Sequence, residues 1–198
     1  MVFGIALKHV LIPNVLPFVD QEVQKKYVNL KTSHNIDTQS SHSRLDPKLL
    51  AYENINSNDT LPKLSGWKYD YSSFDCKVTS HVDFAKLYLK SYMAKFIAFD
   101  DTCDASAVLT LLDKVPVFSP AVRSAANSVR KARNSWAHCL FNDWDEAGFQ
   151  KTFLNLKQLV NVVGISNVGL LNDLDDWEKK GKFAYTVQSV CIIMISLW

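Results

Sequence analysis

The sequence predicts an all-α fold, a helical bundle of about five helices. Apolar residues recur at three- and four-residue steps in several segments, which is the period of a helix that buries one face. Residues that cap or break helices stand at the edges of these segments. No strand-like alternation or hairpin turn competes with this pattern outside the apolar carboxyl-terminal stretch. A helical bundle is therefore favoured over a mixed fold.

The first predicted helix covers residues 5–31. Pro13 and Pro17 lie in its first third, where an interior proline removes a hydrogen bond and clashes with the preceding turn. We expect an irregular start, with the regular helix beginning near Pro17. A long loop follows at 32–74, rich in Ser, Asn, Asp, Thr and Pro. Its aromatic residues are Tyr52, Trp67, Tyr69 and Tyr71. They are expected to pack on the helices, with stacking on RNA bases as the alternative.

Two helices are predicted in the middle of the chain. The first covers residues 80–97 and begins at Ser80, a residue suited to the N-cap position. The second covers residues 103–114 and ends before Pro116, because proline cannot continue the hydrogen bonding of a helix. Three residues are available to cap its amino end: Asp101, Thr102 and Asp104.

Three more helices are predicted in the carboxyl-terminal part of the chain. One covers residues 119–140 and begins with a Ser-Pro pair, which supplies an N-cap and a proline at the first helical position. The next covers residues 149–163 and stops at Gly164, and the last covers residues 170–180 and stops at Gly181.

Length favours a single domain, placed at residues 1–181. The apolar tail at 182–198 is shorter than the roughly twenty residues that span a bilayer, so it is expected to be buried or left unfolded. The apolar run at residues 4–18 lacks the basic segment and cleavage site of a signal peptide. We therefore expect a cytoplasmic protein without a membrane partner.

The cysteines and acidic residues do not form a recognisable metal site. The four cysteines are far apart and include no C-x-x-C pair: Cys76, Cys103, Cys139 and Cys191. Cys76 with His81 could supply two ligands, but the second pair is missing. The acidic run at 172–178 lacks the glycine and the distal glutamate of a calcium loop. Reduced thiols, no metal and no cofactor are expected.

The most informative segment carries three of the chain's four arginines, followed by a histidine. Arg123, Arg130 and Arg133 fall within eleven residues, just before His138. A guanidinium presents a fixed fork of donors to phosphate oxygens, and an imidazole exchanges a proton near neutral pH. Together they suit phosphodiester cleavage by a ribose 2'-hydroxyl, which needs a proton acceptor and a cation but no metal. The net charge of +2 is mild, so RNA contact requires this local patch, which Lys131 extends.

Helix geometry complicates this arrangement. Five residues of an ideal helix rotate about 500°, which leaves Arg133 and His138 about 140° apart around the axis. Asn134 and His138, four residues apart, share a face, and Arg130 lies on the same stripe. Asn134 could orient either the histidine or a phosphate. Either the helix distorts near Trp136, or Arg133 acts across a dimer.

An extended motif surrounds the arginine and the histidine. The pattern V-R-x-x-R-N-x-x-A-H is carried by residues 129–138, a helix of the D-A-x-x-L-L-x-L-L type precedes it at 104–112, and an apolar helix follows it at 149–163. On these residues the chain resembles the HEPN domain superfamily, helical bundles whose hallmark is R-x(4-6)-H. The similarity is closest to the animal subfamily shared by an RNA-binding ubiquitin ligase and invertebrate innate-immune proteins. It covers about residues 82–164, and residues 5–31 resemble the first helix of that subfamily.

The resemblance implies a metal-independent endoribonuclease that leaves 2',3'-cyclic phosphate ends in a defence or stress response. In that role His138 would act as general acid or base, Arg133 would stabilise the phosphorane and Asn134 would orient. Arg123, Arg130 and Lys131 would bind RNA, with single-stranded RNA favoured. The implied partners are a second copy of the chain, in a homodimer, and ubiquitin or immune-signalling proteins.

Less specific interpretations stand beside this one. His138 could be a half-buried histidine near a helix carboxyl end, and Arg130 and Arg133 could form a solvated face. Trp136 and Trp144 are expected to anchor packing rather than stack on bases. The alternative function is a non-catalytic RNA-binding or protein-assembly module, because several HEPN domains do not cleave RNA.

Overall fold

The all-α fold is confirmed by a computed structural model, which describes residues 2–38, 78–90, 92–138, 144–165 and 168–196. Within these ranges the chain contains no β-strand, and five of its seven α-helices have ten or more residues. The helices are α1 Val2–Ile5, α2 Ile12–His34, α3 His81–Lys86, α4 Ala105–Lys114, α5 Pro120–Ala137, α6 Glu146–Val163 and α7 Val168–Ser196.

Backbone contacts divide the chain into two compact units. The first comprises Met1–Val15 and Ser128–Trp198, and the second comprises Leu16–Asn127. The boundary falls within α2 and within α5, so each of these helices contributes residues to both units. The extent of the expected domain, 1–181, stays a prediction.

The irregular start predicted for the first helix is a π-helical segment. This segment, Ala6–Leu11, joins α1 to α2, and the amide of Ile12 donates to the carbonyl of Leu7, five residues earlier. The wide turn stands just before Pro13, where a proline ring would clash with the turn of an ideal helix. The expected start near Pro17 is therefore wrong, since α2 begins at Ile12 and contains that proline.

The helical run Val2–His34 is apolar and long enough, by length and composition, to cross a membrane. A core helix passes the same test, and this run has a buried stripe with four-residue steps. The stripe contains Phe3, Leu7, Leu11, Val15, Val19 and Val23. The run thus presents the pattern of a core helix, and the absence of a membrane partner stays a prediction.

The helix predicted at 80–97 is much shorter in the structure. Ser80 is its N-cap as predicted, and its hydroxyl accepts from the amide of Asp83, whose carboxylate accepts from the amide of Ser80. Three consecutive residues beyond α3, Leu87, Tyr88 and Leu89, are all fully buried. The chain leaves the helix at Leu87, whose amide bonds to the Phe84 carbonyl, only three residues back.

Local capping signals place α4 and α5 as predicted. Asp104 is the residue that caps α4, by accepting from the amide of Ala107, and the helix ends before Pro116. Ser119 precedes α5, and its hydroxyl accepts from the Val122 amide at 3.3 Å. The predicted end of this helix at Leu140 lies outside the described residues.

The last two helices pack against each other in the first unit. Asp145 caps α6 by accepting from the Gly148 amide, and Gly164 ends it in the left-handed conformation, φ 76°, as predicted. The predicted stop at Gly181 is wrong, because α7 continues to Ser196. A β-carbon on Gly181 would lie 2.1 Å from Cζ of Phe149. This glycine permits a close helix–helix approach and does not end a helix.

The predicted loop at 32–74 falls mostly outside the described residues, as do its aromatic side chains and Cys76. Its first residues are helical, because α2 extends to His34 and a 3₁₀ turn covers Ile36–Thr38.

Candidate nucleic-acid site at the end of α5

The carboxyl-terminal turn of α5 is regular through the candidate histidine. The amide of His138 donates to the carbonyl of Asn134 at 3.0 Å, which is the i to i−4 bond of an α-helix. The expected alternative of a distortion near Trp136 is therefore not observed. Arg133 and His138 leave the helix about 140° apart around its axis, as an ideal helix requires.

The Asn134 side chain contacts Arg133 and lies one turn before His138. Its Oδ1 accepts from Nη1 of Arg133 at 3.4 Å, near the long limit of a hydrogen bond. Asn134 and His138 are four residues apart and therefore neighbours on the helix surface. The structure thus joins Arg133 to Asn134, and it places Asn134 beside the face that carries His138.

Lys131 shares the histidine's face. Seven residues of a helix make nearly two full turns, so Lys131 and His138 stand about 20° apart around the axis and about 10 Å apart along it. Both residues are exposed, whereas Arg130, Arg133 and Asn134 are half-buried. Lys131 and His138 therefore form an exposed stripe, with half-buried Asn134 and the two arginines along one edge.

The basic residues on this turn lack acidic neighbours among the described residues. Within the described ranges, no Asp or Glu side chain lies within ion-pair distance of Lys131, Arg133 or His138. A concentration of positive charge without a local counter-ion attracts anionic ligands. We refer to Lys131, Arg133, Asn134 and His138 as the α5 basic turn.

Arg123, the remaining sequence-based candidate, lies in the second unit. Its Nε donates to the backbone carbonyl of Asp113 at 2.8 Å. That carbonyl belongs to the last turn of α4, where helical carbonyls lack intrahelical partners. Arg123 is thus engaged in closing a helix end, a role that its sequence context did not indicate.

Aromatic packing supports the α5 basic turn from one side. The ring of Phe3 lies 6.1 Å from that of Trp136 and 5.3 Å from that of Trp144. Nε1 of Trp144 donates to Oγ of Ser135 at 3.1 Å. A β-carbon on Gly4 would lie 2.6 Å from Cζ2 of Trp136, so glycine is needed for this contact. The prediction that both tryptophans anchor packing is confirmed.

The sequence reasoning did not identify Phe3 or Gly4 as supports of this turn. Both belong to an apolar amino-terminal run that any buried helix could contain. Their role depends on a contact between segments more than 130 residues apart, which no local pattern encodes. A Gly within a helix was the available signal, because it is disfavoured there unless packing requires it.

Of the sequence-based metal ligands, Cys76 lies outside the described residues, and His81 is engaged in contacts of its own. His81 pairs through Nε2 with Oδ1 of Asp20 at 2.7 Å and stacks on the ring of Phe99, contacts that hold α3 in place. Burial raises the pKa of the Cys103 thiol to about 12, and nearby Asp104 and Asp100 add to the shift. This thiol is therefore protonated and poorly suited to metal binding or nucleophilic attack at neutral pH. In the described part of the chain, no three His, Cys, Asp or Glu side chains are grouped for a metal ion.

Comparison with known proteins adds no assignment. No family model matches the chain, and neither the curated proteins nor the solved structures give a match.

Proposed function

We propose that this chain is a HEPN-like, RNA-directed domain whose α5 basic turn binds the phosphate backbone and cleaves RNA without a metal ion. The observation that carries the proposal is the exposed stripe of Lys131 and His138, edged by Asn134. It presents an imidazole and a lysine on one helix face, about two turns apart, with no acidic partner among the described residues. The side chains supply the two elements that 2'-hydroxyl attack needs, a proton acceptor and positive charge near the phosphate.

Each residue has a separate role in this mechanism. His138 takes the proton of the ribose 2'-hydroxyl, or returns a proton to the leaving 5'-oxygen, in the general acid–base step. Arg133 stabilises the charge that develops on the phosphate oxygens, with its guanidinium oriented by Asn134. Lys131 and Arg130 hold the backbone of single-stranded RNA. The products carry 2',3'-cyclic phosphate and 5'-hydroxyl ends.

A homodimer is part of the proposal because Arg133 and His138 point away from each other on a regular helix. Two copies that pair through this helix would place Arg133 of one copy near His138 of the other. We assign this activity to a defence or stress response in the cytoplasm, with ubiquitin or immune-signalling proteins as further partners.

The direct test is incubation with end-labelled single-stranded RNA in excess EDTA, followed by analysis of the product ends. The protein is expected to cleave RNA and leave cyclic phosphates, and His138→Ala is expected to lower the rate about 10²- to 10⁴-fold. Lys151→Gln, which changes an exposed lysine on α6, is the matched control and should keep full activity. Intact RNA with the folded wild-type protein would exclude the ribonuclease.

Mixing two inactive variants tests the dimeric arrangement. Arg133→Ala and His138→Ala are expected to regain about a quarter of the wild-type activity when mixed equally, because each mixed dimer would contain one intact composite site. No recovery, with exchange of subunits shown independently, would place both residues in one chain.

A non-catalytic RNA-binding or assembly module is the second candidate. It is favoured by the angular separation of Arg133 and His138, because within one chain these two side chains do not point toward a common phosphate. RNA binding or self-association without cleavage would select it.

A further inference from the structure

The aromatic packing behind α5 involves the same turn that carries the proposed RNA site. Phe3 is almost fully buried, with 1% of its surface exposed, and its ring contacts both Trp136 and Trp144. The Phe3 and Trp136 rings meet edge to face, at 72°, an arrangement that is favourable for aromatic pairs. We call Phe3, Trp136, Trp144 and the Trp144–Ser135 hydrogen bond the aromatic clasp.

The clasp touches α5 at two positions that neighbour the candidate side chains. Residues three apart on a helix are surface neighbours, about 5–6 Å apart at their β-carbons. Trp136 is three residues after Arg133, and Ser135 is three residues before His138. The clasp therefore adjoins both flanks of the α5 basic turn. The packed indole of Trp136 neighbours Arg133, and the hydroxyl of Ser135 neighbours His138.

The end of a helix needs such support. The last carbonyls of a helix lack intrahelical partners, and terminal turns open at low free-energy cost. α5 ends at Ala137, so His138 stands at this weak position. A catalytic imidazole must be held to a fraction of an ångström, because small displacements of reacting groups lower rates strongly. Contacts from outside the helix are the available means of holding it.

We propose that the aromatic clasp positions the last turn of α5, with Trp136 and Phe3 steadying the Arg133 flank and the Trp144–Ser135 hydrogen bond steadying the His138 flank. This inference rests on the proposed function, since it assigns the clasp to the same site. Phe3, Ser135, Trp136 and Trp144 are thus positioning residues. They act through Arg133 and His138 and do not contact RNA themselves.

The hydrogen bond can be removed from either side, and Ser135→Ala does so with little change in volume. Trp144→Phe keeps an aromatic ring against Phe3 but removes the indole donor, and Ser135→Ala removes the acceptor. Each variant is expected to lower kcat for RNA cleavage about tenfold and to leave KM unchanged. The double variant is expected to be no slower than the single ones, because all three lose the same bond. Trp177→Phe, on α7 in the same unit, is the matched control with unchanged kcat.

A second readout follows the His138 ring by NMR and does not require RNA. In Trp144→Phe and Ser135→Ala, the chemical shifts and line width of the His138 ring signals are expected to change. The His9 ring signals should stay as in the wild type in both variants, and the His138 signals should stay so in the control Trp177→Phe. Unchanged His138 signals, together with unchanged kcat, would overturn the inference. Additive losses of kcat in the double variant would also overturn it, because two independent defects would then be present.

The two proposals fail in different ways. If the folded wild-type protein does not cleave RNA, the ribonuclease fails, and the NMR signals alone decide whether the clasp positions His138. If the wild type cleaves and both clasp variants match it in kcat and in the His138 signals, the clasp inference fails while the ribonuclease stands.

Discussion

The α6–α7 contact and the α5 basic turn both carry basic side chains, but they differ in whether those side chains form ion pairs with carboxylates of the described residues. Lys157 on α6 binds the carboxylates of Asp175 and Glu178 on α7, and Lys182 binds Glu178 as well. Lys131, Arg133 and His138 have no acidic partner within the described residues. Charge at the first location is neutralised by the chain itself and serves stability. Charge at the second location is not neutralised by any acidic side chain of the described residues.

The pKa shifts at the α6–α7 contact result from the ion pairs between Lys157 and its carboxylate partners. Burial disfavours the ionised forms of Lys157 and Glu178, but their hydrogen bonds outweigh it, so the pKa of Lys157 is raised and that of Glu178 is lowered. The hydrogen bond from Lys157 also lowers the pKa of Asp175. The charged forms of all three residues are thus favoured in the folded protein.

The largest loss of stability is expected at Gly181, where α7 packs against Phe149 of α6. Gly181→Ala places a β-carbon 2.1 Å from Cζ of Phe149, so the two helices or the ring must move. Because overpacking of a filled contact costs about 1–3 kcal/mol and sometimes more, we expect a loss near the top of that range. Chemical denaturation, monitored by circular dichroism, measures the change in the free energy of unfolding.

Gly169→Ala is the control for that substitution. Gly169 is exposed in the same helix, where alanine is the better helix former, so stability should be unchanged or slightly higher. Phe149→Leu should partly rescue Gly181→Ala by making room for the methyl group. Equal stability of the two glycine variants would show that α7 does not pack closely against α6 at Gly181.

Substitution of Lys157, the lysine that binds two carboxylates of α7, should cause the next largest loss of stability. Lys157→Met leaves Asp175 and the half-buried Glu178 without their shared partner, and loss of a charged hydrogen bond costs about 1.5–3 kcal/mol. Lys179→Met breaks only an exposed pair with Asp176 and should cost less than about 0.5 kcal/mol. Thermal and urea unfolding of both variants at neutral pH give the comparison.

The acid dependence of Lys157→Met follows from the lowered carboxylate pKa values. A carboxylate with a lowered pKa contributes stability above its unfolded pKa, about 3.9 for Asp and 4.3 for Glu, and this is lost as pH falls through the folded value. The difference in stability between wild type and Lys157→Met should therefore be full at pH 6 and shrink below about pH 4. A difference independent of pH would mean that lost packing, and not the ion pairs, accounts for the effect.

A smaller loss of stability is expected from substitution of Arg123, the arginine that donates a hydrogen bond to the end of α4. Arg123→Gln removes the Nε bond to the Asp113 carbonyl, and a single such bond contributes about 0.5–1.5 kcal/mol. Lys131→Gln, which removes an exposed charge on the same helix, should leave stability within about 0.5 kcal/mol of the wild type. Equal stability of the two variants would contradict the helix-closing role of Arg123.

Sequence predicted the parts of the fold that local chemistry determines. Ser80, Asp104 and Gly164 act at helix ends through their own side chain or backbone freedom, so their neighbours in sequence were sufficient to identify them. The length of α3 could not be read in this way, because the apolar period of residues 80–97 continues beyond Lys86, where the helix ends. The same is true of Gly181, whose role depends on the Phe149 ring of another helix.

The same distinction between local and long-range determinants applies to the candidate site. The order of Arg133, Asn134 and His138 on one helix followed from periodicity, as did the 140° separation of the outer two. Three other features depend on how side chains meet in the folded chain: the bond from Arg133 to Asn134, the bond from Arg123 to α4 and the packing of Phe3 on Trp136. Side-chain direction and contacts between distant segments are set by packing, which a single sequence does not display.

The most direct test of the contrast between paired and unpaired charge is the salt dependence of RNA affinity. The dissociation constant of single-stranded RNA is measured from low to physiological salt for the wild type, Lys131→Gln, Arg133→Gln and the control Lys151→Gln. If the α5 basic turn contacts phosphates, the slope of log K against log salt should fall by about 0.7 in each of the first two variants and stay unchanged in the control. Identical slopes in all four proteins would contradict the assignment of this turn to RNA.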